Sequence, residues 1–373
     1  MSEDGLVLPA YGGASIARLL PSVVAVLGLP GHLDTVGLPL AERVCVLLVD
    51  GLGSRGLAAA GASVAPVMHG MSQVSLTVGV PSTTATSLAC LGSGLPTGAH
   101  GLVGYTFRLQ GHGILNALRW STGVDPSLVQ PRGTLFEEAA AAGVAVSHVG
   151  PPEFEGSGLT VAALRGATYR PAATWGERIA VVGDALRAGP RSLVLAYVSD
   201  VDATGHRRGV DSPHWRAQLA LVDALVAALL EQLPPGGLLV VTGDHGMVDV
   251  DLASAADVEG DPQLSSGVAQ LGGEPRFRHV YARRGAAADV LAAWRERLGE
   301  RAWVRSRDEA VAEGWFGAVE PSVRGRLGDV VAAARDRSLV LAGSSAPHER
   351  RLPGQHGSLT AEEMLVPLLS AVG

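Results

Sequence analysis

The chain predicts an α/β fold: a mainly parallel central sheet with helices on both faces, carrying a small inserted α+β subdomain. Three observations lead there. Short aliphatic runs alternate with helix-period segments, the signature of βαβ units. The runs at 44–49, 193–198 and 238–241 are apolar on consecutive residues, as strands buried on both faces are. And after residue 250 the character changes, with Ser, Gly, Asp and Arg rising through 251–278 before shorter β and α patterns follow.

Taken in order, residues 44–49 form a strand ending at Asp50, and 73–78 a second strand. The latter leads through Pro81-Ser82-Thr83-Thr84 into a helix of small residues that reaches Ser93. Thr134 with Glu137 spells a capping box for a helix through Ala142, and Gly143 hands over to a strand at 144–149. Thr174 and Glu177 repeat that start signal. The strand at 193–198 ends near Asp200 and Asp202, and 213–233 reads as an amphipathic helix with Leu219, Val222, Val226 and Leu229 along one side. In the insert, 279–282, 290–298, 330–333 and 339–342 read together as the short β and α segments of a small α+β unit. A capping box at Thr360 and Glu363 then opens a closing helix over 360–369. The divisions are 1–250 for the core, 251–352 for the insert, and 353–373 for a return to the core.

The 373 residues suffice for a large buried core, and 47% hydrophobic against 17% charged residues excludes a disordered chain. A net charge of −7 with no basic block argues against a nucleic-acid-binding surface. Cys45 and Cys90, in a strand and a helix, are expected as buried free thiols. The opening MSEDGLVLPA has no basic region, and the apolar patch at 19–29 is broken by Pro21 and Gly28. No signal peptide or membrane span is expected, hence a cytoplasmic location.

Chemistry collects where strands end. Asp244 and His245 close the run LLVVTGDHGM, at the carboxyl edge where open α/β sheets place ligands. Asp50 ends LLVDGLG between a strand and two glycines. Asp202 and His206 stand four apart in SDVDATGHRRG, close enough for one cation, with Gly205 and Gly209 favouring a loop; Asp200 would orient a ligand or cap that loop. His356 lies in the polar loop Gln355-His356-Gly357. Together Asp50, Asp202, His206, Asp244, His245 and His356 make two sets of three oxygen and nitrogen ligands. The hydroxyls of PSTTATS sit at a helix amino terminus, a ready phosphate site whose oxygen a metal could ionise. Chemistry alone does not separate Ser82, Thr83, Thr84 and Thr86.

These motifs, in this order, resemble the alkaline phosphatase superfamily, and most closely its nucleotide pyrophosphatase/phosphodiesterase branch. The likeness runs from Val44 to the carboxyl terminus and is weakest over 251–352. Val49-Asp50-Gly51 resembles the strand–Asp–Gly start, and Asp202-Ala203-Thr204-Gly205-His206 the Asp-x-x-Gly-His motif. Asp244-His245-Gly246 and His356-Gly357 complete the set. Aligning Gly94, His100 and Gly101 with the branch's His-Gly stretch places its nucleophile on Thr84. The resemblance implies an alkaline phosphatase-like fold and two Zn²⁺ ions, with other divalent transition metals such as Mn²⁺ as alternatives. One ion would be held by Asp202, His206 and His356, the other by Asp50, Asp244 and His245 with Thr84. It also implies a phosphothreonine intermediate in cleaving a small-molecule phosphodiester, nucleotide or pyrophosphate. Monoester or phosphonate C–P hydrolysis is the alternative reading, and a phosphomutase or non-catalytic binder a remoter one.

Two departures stand out. Tyr105 occupies the place of the usual phosphate-binding Asn, where its phenol can donate one hydrogen bond. Ala85-Thr86-Ser87 replaces the Phe-Pro-Asn that follows the nucleophile in many relatives. The helix from Ala85 to Ser93 contains no Arg, which favours a monoanionic diester over a dianionic monoester unless Arg108, Arg276 or Arg278 reaches in.

Overall fold

The computed structural model describes residues 5–120 and 123–373; the acidic opening at residues 1–4 lies outside it. In chain order the main strands begin with β1 (Arg43–Val49), β2 (Ser72–Thr77), β3 (Ala145–Gly150), β4 (Thr168–Pro171), β5 (Ser192–Val198) and β6 (Leu238–Gly243). They continue with β7 (Val268–Glu274), β8 (Phe277–Ala282), β9 (Ala302–Ser306), β10 (Val330–Ala334) and β11 (Leu365–Val372). The helices that matter below are α1 (Thr84–Ser93), α2 (Leu135–Ala141), α3 (Gly158–Leu164), α4 (Trp175–Leu186), α5 (Asp200–Arg208), α6 (Pro213–Gln232) and α7 (Ala287–Leu298).

Seven strands form the central sheet in the order β2-β11-β6-β1-β5-β3-β4. β1 pairs in parallel with β5 and β6, β5 with β3 and β3 with β4, whereas β11 runs antiparallel to both its neighbours, β2 and β6. The continuous aliphatic runs are explained by two-sided burial. In β1, Val44, Val46 and Leu48 enter one core while Cys45, Leu47 and Val49 enter the other. α1 and α2 cover the first face; α4 and α6 cover the second. On α6, Leu219, Val222, Val226 and Leu229 are all buried. Each such side chain stabilises by about 1.5–3 kcal/mol on burial. Both cysteines are buried free thiols.

The capping boxes at Thr134–Glu137 and Thr174–Glu177 form as expected. Two other expectations are corrected. The Asp202–His206 segment is helical, not a loop: α5 runs to Arg208, with Gly209 in the position after its end, so Gly205 is tolerated inside a helix. The closing segment is a single turn, Ala361–Met364, followed by β11 and not a helix over 360–369. Thr360 makes no capping box: its hydroxyl donates to the Glu363 carboxylate at 2.6 Å instead of capping a backbone N–H, and the same carboxylate accepts from Arg276 at 3.0 and 2.6 Å. Pro367 also removes a helix-interior donor, and β11 instead fills the slot between β6 and β2.

Residues 268–334 contain a four-stranded antiparallel sheet in the order β7-β8-β10-β9. One face packs Val280, Val330 and Ala332 against Trp294 and Leu298 of α7. From the other, Phe277, Val331 and Ala333 join the main core. The segment at 339–342 contributes a two-residue strand, Val340–Leu341, paired with Ala256–Asp257 and not with this sheet. Among the described residues no helix is long and apolar enough to cross a membrane.

Candidate active site

Asp50 follows β1, Asp244 follows β6, and α5, which carries Asp202 and His206, begins just past β5. Parallel neighbours end at one edge, so these side chains meet although they are far apart in sequence. Gly51 makes the approach possible. Its φ is +75°, and a Cβ there would lie 2.8 Å from Asp202 Cα. The Asp202 amide then donates to the Asp50 carbonyl at 3.0 Å. His356 arrives from the loop before β11.

The three histidines share one arrangement. Nδ1 of His206 lies 2.8 Å from the Gly354 carbonyl, that of His245 3.2 Å from Gly246, and that of His356 3.0 Å from Ser82. A carbonyl only accepts, so each Nδ1 carries a proton, and wherever the ring is neutral it is the lone pair of Nε2 that turns inward. Facing those lone pairs are carboxylates. Asp202 Oδ1 lies 3.3 Å from His206 Nε2 and 3.7 Å from His356 Nε2. Asp50 Oδ1 and Asp244 Oδ2 lie 3.3 and 3.6 Å from His245 Nε2. The rings of His245 and His356 stack at 3.6 Å.

Each of the three carboxylates has a buried oxygen with no hydrogen-bond partner: Asp50 Oδ1, Asp202 Oδ1 and Asp244 Oδ2. Lone pairs facing unpaired anionic oxygens repel, unless a cation sits between them. Protons cannot serve throughout. Burial opposes charge on His245, but Asp244, Asp50 and Asp202 together outweigh it and push its pKa up to about 10. Burial, reinforced by His245 and His206, holds His356 well below the ordinary histidine value, and burial lowers His206. Burial, then the Asp50 charge, raises Asp202 and Asp244. The donor set thus fits divalent metal ions. Ligand atoms of Asp202, His206 and His356 lie within 4.8 Å of one another, as do those of Asp50, Asp202 and His245. Geometry therefore puts Asp202 in both groups. Asp244, which the family resemblance assigns to the second, has Oδ1 engaged by the amides of Gly51 and His245, at 3.1 Å each, and Oδ2 without a hydrogen-bond partner beside His245.

The hydroxyls that sequence could not separate are separated here. Ser82 donates to the Ser358 carbonyl at 2.7 Å and Thr86 to that of Leu102 at 3.1 Å. Thr83 is the N-cap of α1, yet its side chain caps nothing and instead donates to Glu274 Oε2 at 3.4 Å. Thr84, the first residue of α1, places Oγ1 3.2 Å from His245 Nε2 and lines the cavity. The start of α1 leaves its first N–H groups without carbonyl partners inside the helix, a favourable place for a phosphoryl oxygen.

The cavity beside this cluster has a volume of about 330 Å³. Tyr105 lines it, as do Leu88, Phe154, Leu159 and Leu195. No Arg lines it among the described residues. Arg276 is fully buried on Glu363, Arg278 is bound to Glu349, and Arg108 stacks over Tyr281. His100 is not part of the site: it is buried against Cys90 at 3.2 Å, and burial, with help from Arg326, lowers its pKa to about 3. Asp200 opens α5, whose N-cap is Ser199. Two site residues escaped the sequence reading. Tyr197, near the end of β5, donates to Asp50 Oδ2, and a polar tip at a strand's carboxyl end was its only signal. Glu274 closes β7 in the region of weakest resemblance.

Comparison with known proteins adds the following. A human protein, ectonucleotide pyrophosphatase/phosphodiesterase family member 7, is 33% identical over 96 residues, covering 24% of this chain and 21% of its own. A phosphopentomutase from Methylobacterium radiotolerans is 34% identical over 124 residues, covering 33% of this chain and 29% of its own. The aligned stretches thus span less than a third of these curated relatives. Among solved structures, murine ectonucleotide pyrophosphatase/phosphodiesterase 5 superposes with a TM-score of 0.72 at 19% identity, over 88% of this chain and 87% of that one. Phosphonoacetate hydrolase from Sinorhizobium meliloti 1021, in complex with phosphonoformate, superposes with a TM-score of 0.67 at 17% identity, over 89% and 90%. At such identities the likeness shows the fold. The type I phosphodiesterase/nucleotide pyrophosphatase family model matches residues 44–359, and the chain belongs to that family.

Proposed function

We propose that the protein hydrolyses a phosphodiester by nucleophilic attack of Thr84 at a two-zinc site. The observation that carries this reading is the convergence of three inward-turned imidazoles and three partly unpaired carboxylates on the hydroxyl of Thr84. Asp202, His206 and His356 would hold one ion; Asp50, His245 and Asp244 or Asp202 the other. Nitrogen and carboxylate donors suit Zn²⁺, with Mn²⁺ as the alternative. Bound divalent ions supply Lewis acidity, lowering the pKa of a coordinated hydroxyl and neutralising charge on phosphoryl oxygens.

The chain's own groups do the rest. The first N–H groups of α1 hold a phosphoryl oxygen, Thr84 Oγ1 attacks phosphorus, and the bond to the leaving alcohol breaks to give a phosphothreonine. Water then attacks phosphorus, releasing the monoester and restoring Thr84. Tyr105, on the cavity wall, donates to a phosphoryl oxygen. We read residues 251–352 as an insert that walls the site through Glu274 and Glu349.

The cavity lining favours a diester. A monoester dianion or a phosphonoacetate, with its added carboxylate, gains from Arg partners that the lining lacks. Solved with AMP, the murine structural neighbour is consistent with a substrate of nucleotide size. A rate comparison on metal-loaded protein tests the reading. kcat/KM for bis(p-nitrophenyl) phosphate should exceed that for p-nitrophenyl phosphate and for phosphonoacetate. A higher value for phosphonoacetate would favour C–P hydrolysis, and isomerisation of a sugar phosphate without alcohol release would favour a mutase.

A further inference from the structure

Glu274 is an acid with nothing to do in the fold. It is 8% exposed, lines the cavity, and packs against Gly357, where an added Cβ would come within 3.0 Å of its carboxylate. One oxygen receives only the long bond from Thr83, at 3.4 Å; Oε1 is buried with no partner at all. Its own strand and hairpin carry two guanidiniums that could have neutralised it. Both are committed elsewhere: Arg276 donates to Glu363 at 3.0 and 2.6 Å, and Arg278 donates to Glu349 at 2.5 Å. A buried carboxylate left unpaired is costly, and a hydrogen-bond donor on a ligand would satisfy it. Thr83 connects it to the site, since the next residue is Thr84.

Resting on the diesterase reading, we propose that Glu274 is a specificity residue that recognises a hydrogen-bond donor, an ammonium or hydroxyl, on one alcohol of the diester. Three features fit that assignment. The acid projects from β7, whereas the apolar wall comes from α1, α3, β5 and the segment around Phe154. The apolar wall takes an apolar or aromatic alcohol, and Glu274 the polar one. No Arg in the described lining competes for the carboxylate. A buried, unhydrated acceptor also discriminates strongly, because a substrate without the donor leaves it unpaired.

Three p-nitrophenyl diesters that differ in one terminal group test this: 2-aminoethyl, 2-hydroxyethyl and propyl. With the metal-loaded wild-type enzyme, kcat/KM should favour the aminoethyl over the propyl ester by about 10- to 100-fold. The hydroxyethyl ester should fall between, and a rank reversal of the two donors would assign the site to a hydroxyl. Glu274→Gln should collapse the aminoethyl-to-propyl ratio towards one through KM. Equal wild-type rates on the aminoethyl and propyl esters overturn the assignment whether or not the variant folds. So does a variant that loses both esters together through kcat. Failure to cleave any of the three esters would instead sink the diesterase reading.

Discussion

The molecule holds two buried clusters of charge, built on opposite plans. Where β8 and its hairpin meet the closing turn, Arg276 and Glu363 are both fully buried and joined by two hydrogen bonds, and Ser338 takes a third donor of the guanidinium. Ser358 and Thr360 satisfy Glu363 further. Arg278 and Glu349 repeat the pairing beside it. At the carboxyl edge of the central sheet, Asp50, Asp202 and Asp244 gather with no guanidinium among them and an orphan oxygen on each. The chain can neutralise buried acids with arginine, and does so a short distance away. On the two-metal reading proposed above, the site acids are left uncompensated because bound cations would supply the counter-charge.

That contrast can be broken by experiment. If Thr84 is the nucleophile, Thr84→Ala should cut turnover of bis(p-nitrophenyl) phosphate on the order of 10³-fold or more without shifting the melting temperature. Full activity there, with the loss in Thr83→Ala instead, would move the nucleophile by one residue. Breaking the balanced cluster should hurt stability instead. Glu363→Gln strands the Arg276 charge and should cost about 3–5 kcal/mol in denaturant unfolding. An unchanged unfolding midpoint would mean that the pair is not the internal brace described.

Removing an acid from the uncompensated cluster should do the reverse. Asp244→Asn should lower bound metal per chain, measured by elemental analysis, and reduce rate on the order of 10²-fold. Its unfolding midpoint without metal should not fall, since like-charge repulsion is relieved. Retained metal at wild-type stoichiometry would contradict a ligand role. The smallest effect belongs to the cavity wall. Tyr105→Phe removes one hydrogen-bond donor and should slow diester turnover by roughly 2- to 10-fold. No change would make Tyr105 a wall and nothing more.

Much of the site was legible because its residues end strands. Asp50 and Asp244 follow aliphatic runs whose length and chemistry allow only one structure, and parallel neighbours must end together. Glu274 was illegible for the opposite reason. Nothing in QLGGEPRFRH distinguishes it from a surface acid, and only the packing of β7 against Gly357 brings it to the cavity. The closing segment was misread because an S/T-x-x-E pattern reports local capping chemistry. It cannot report that Arg276, 87 residues earlier, would claim the carboxylate.

By itself the sequence determined the layered α/β plan, the strand ends that hold the acids, and the family. Those follow from periodicity and from local residue order, which each segment carries within itself. The tertiary structure decided which hydroxyl faces His245 and the cavity and which nitrogen of each histidine turns inward. It also decided that Asp202 reaches both ligand groups, and which buried acids have an arginine and which do not. Each of these depends on a partner distant along the chain, and burial makes the presence or absence of that partner the dominant energy.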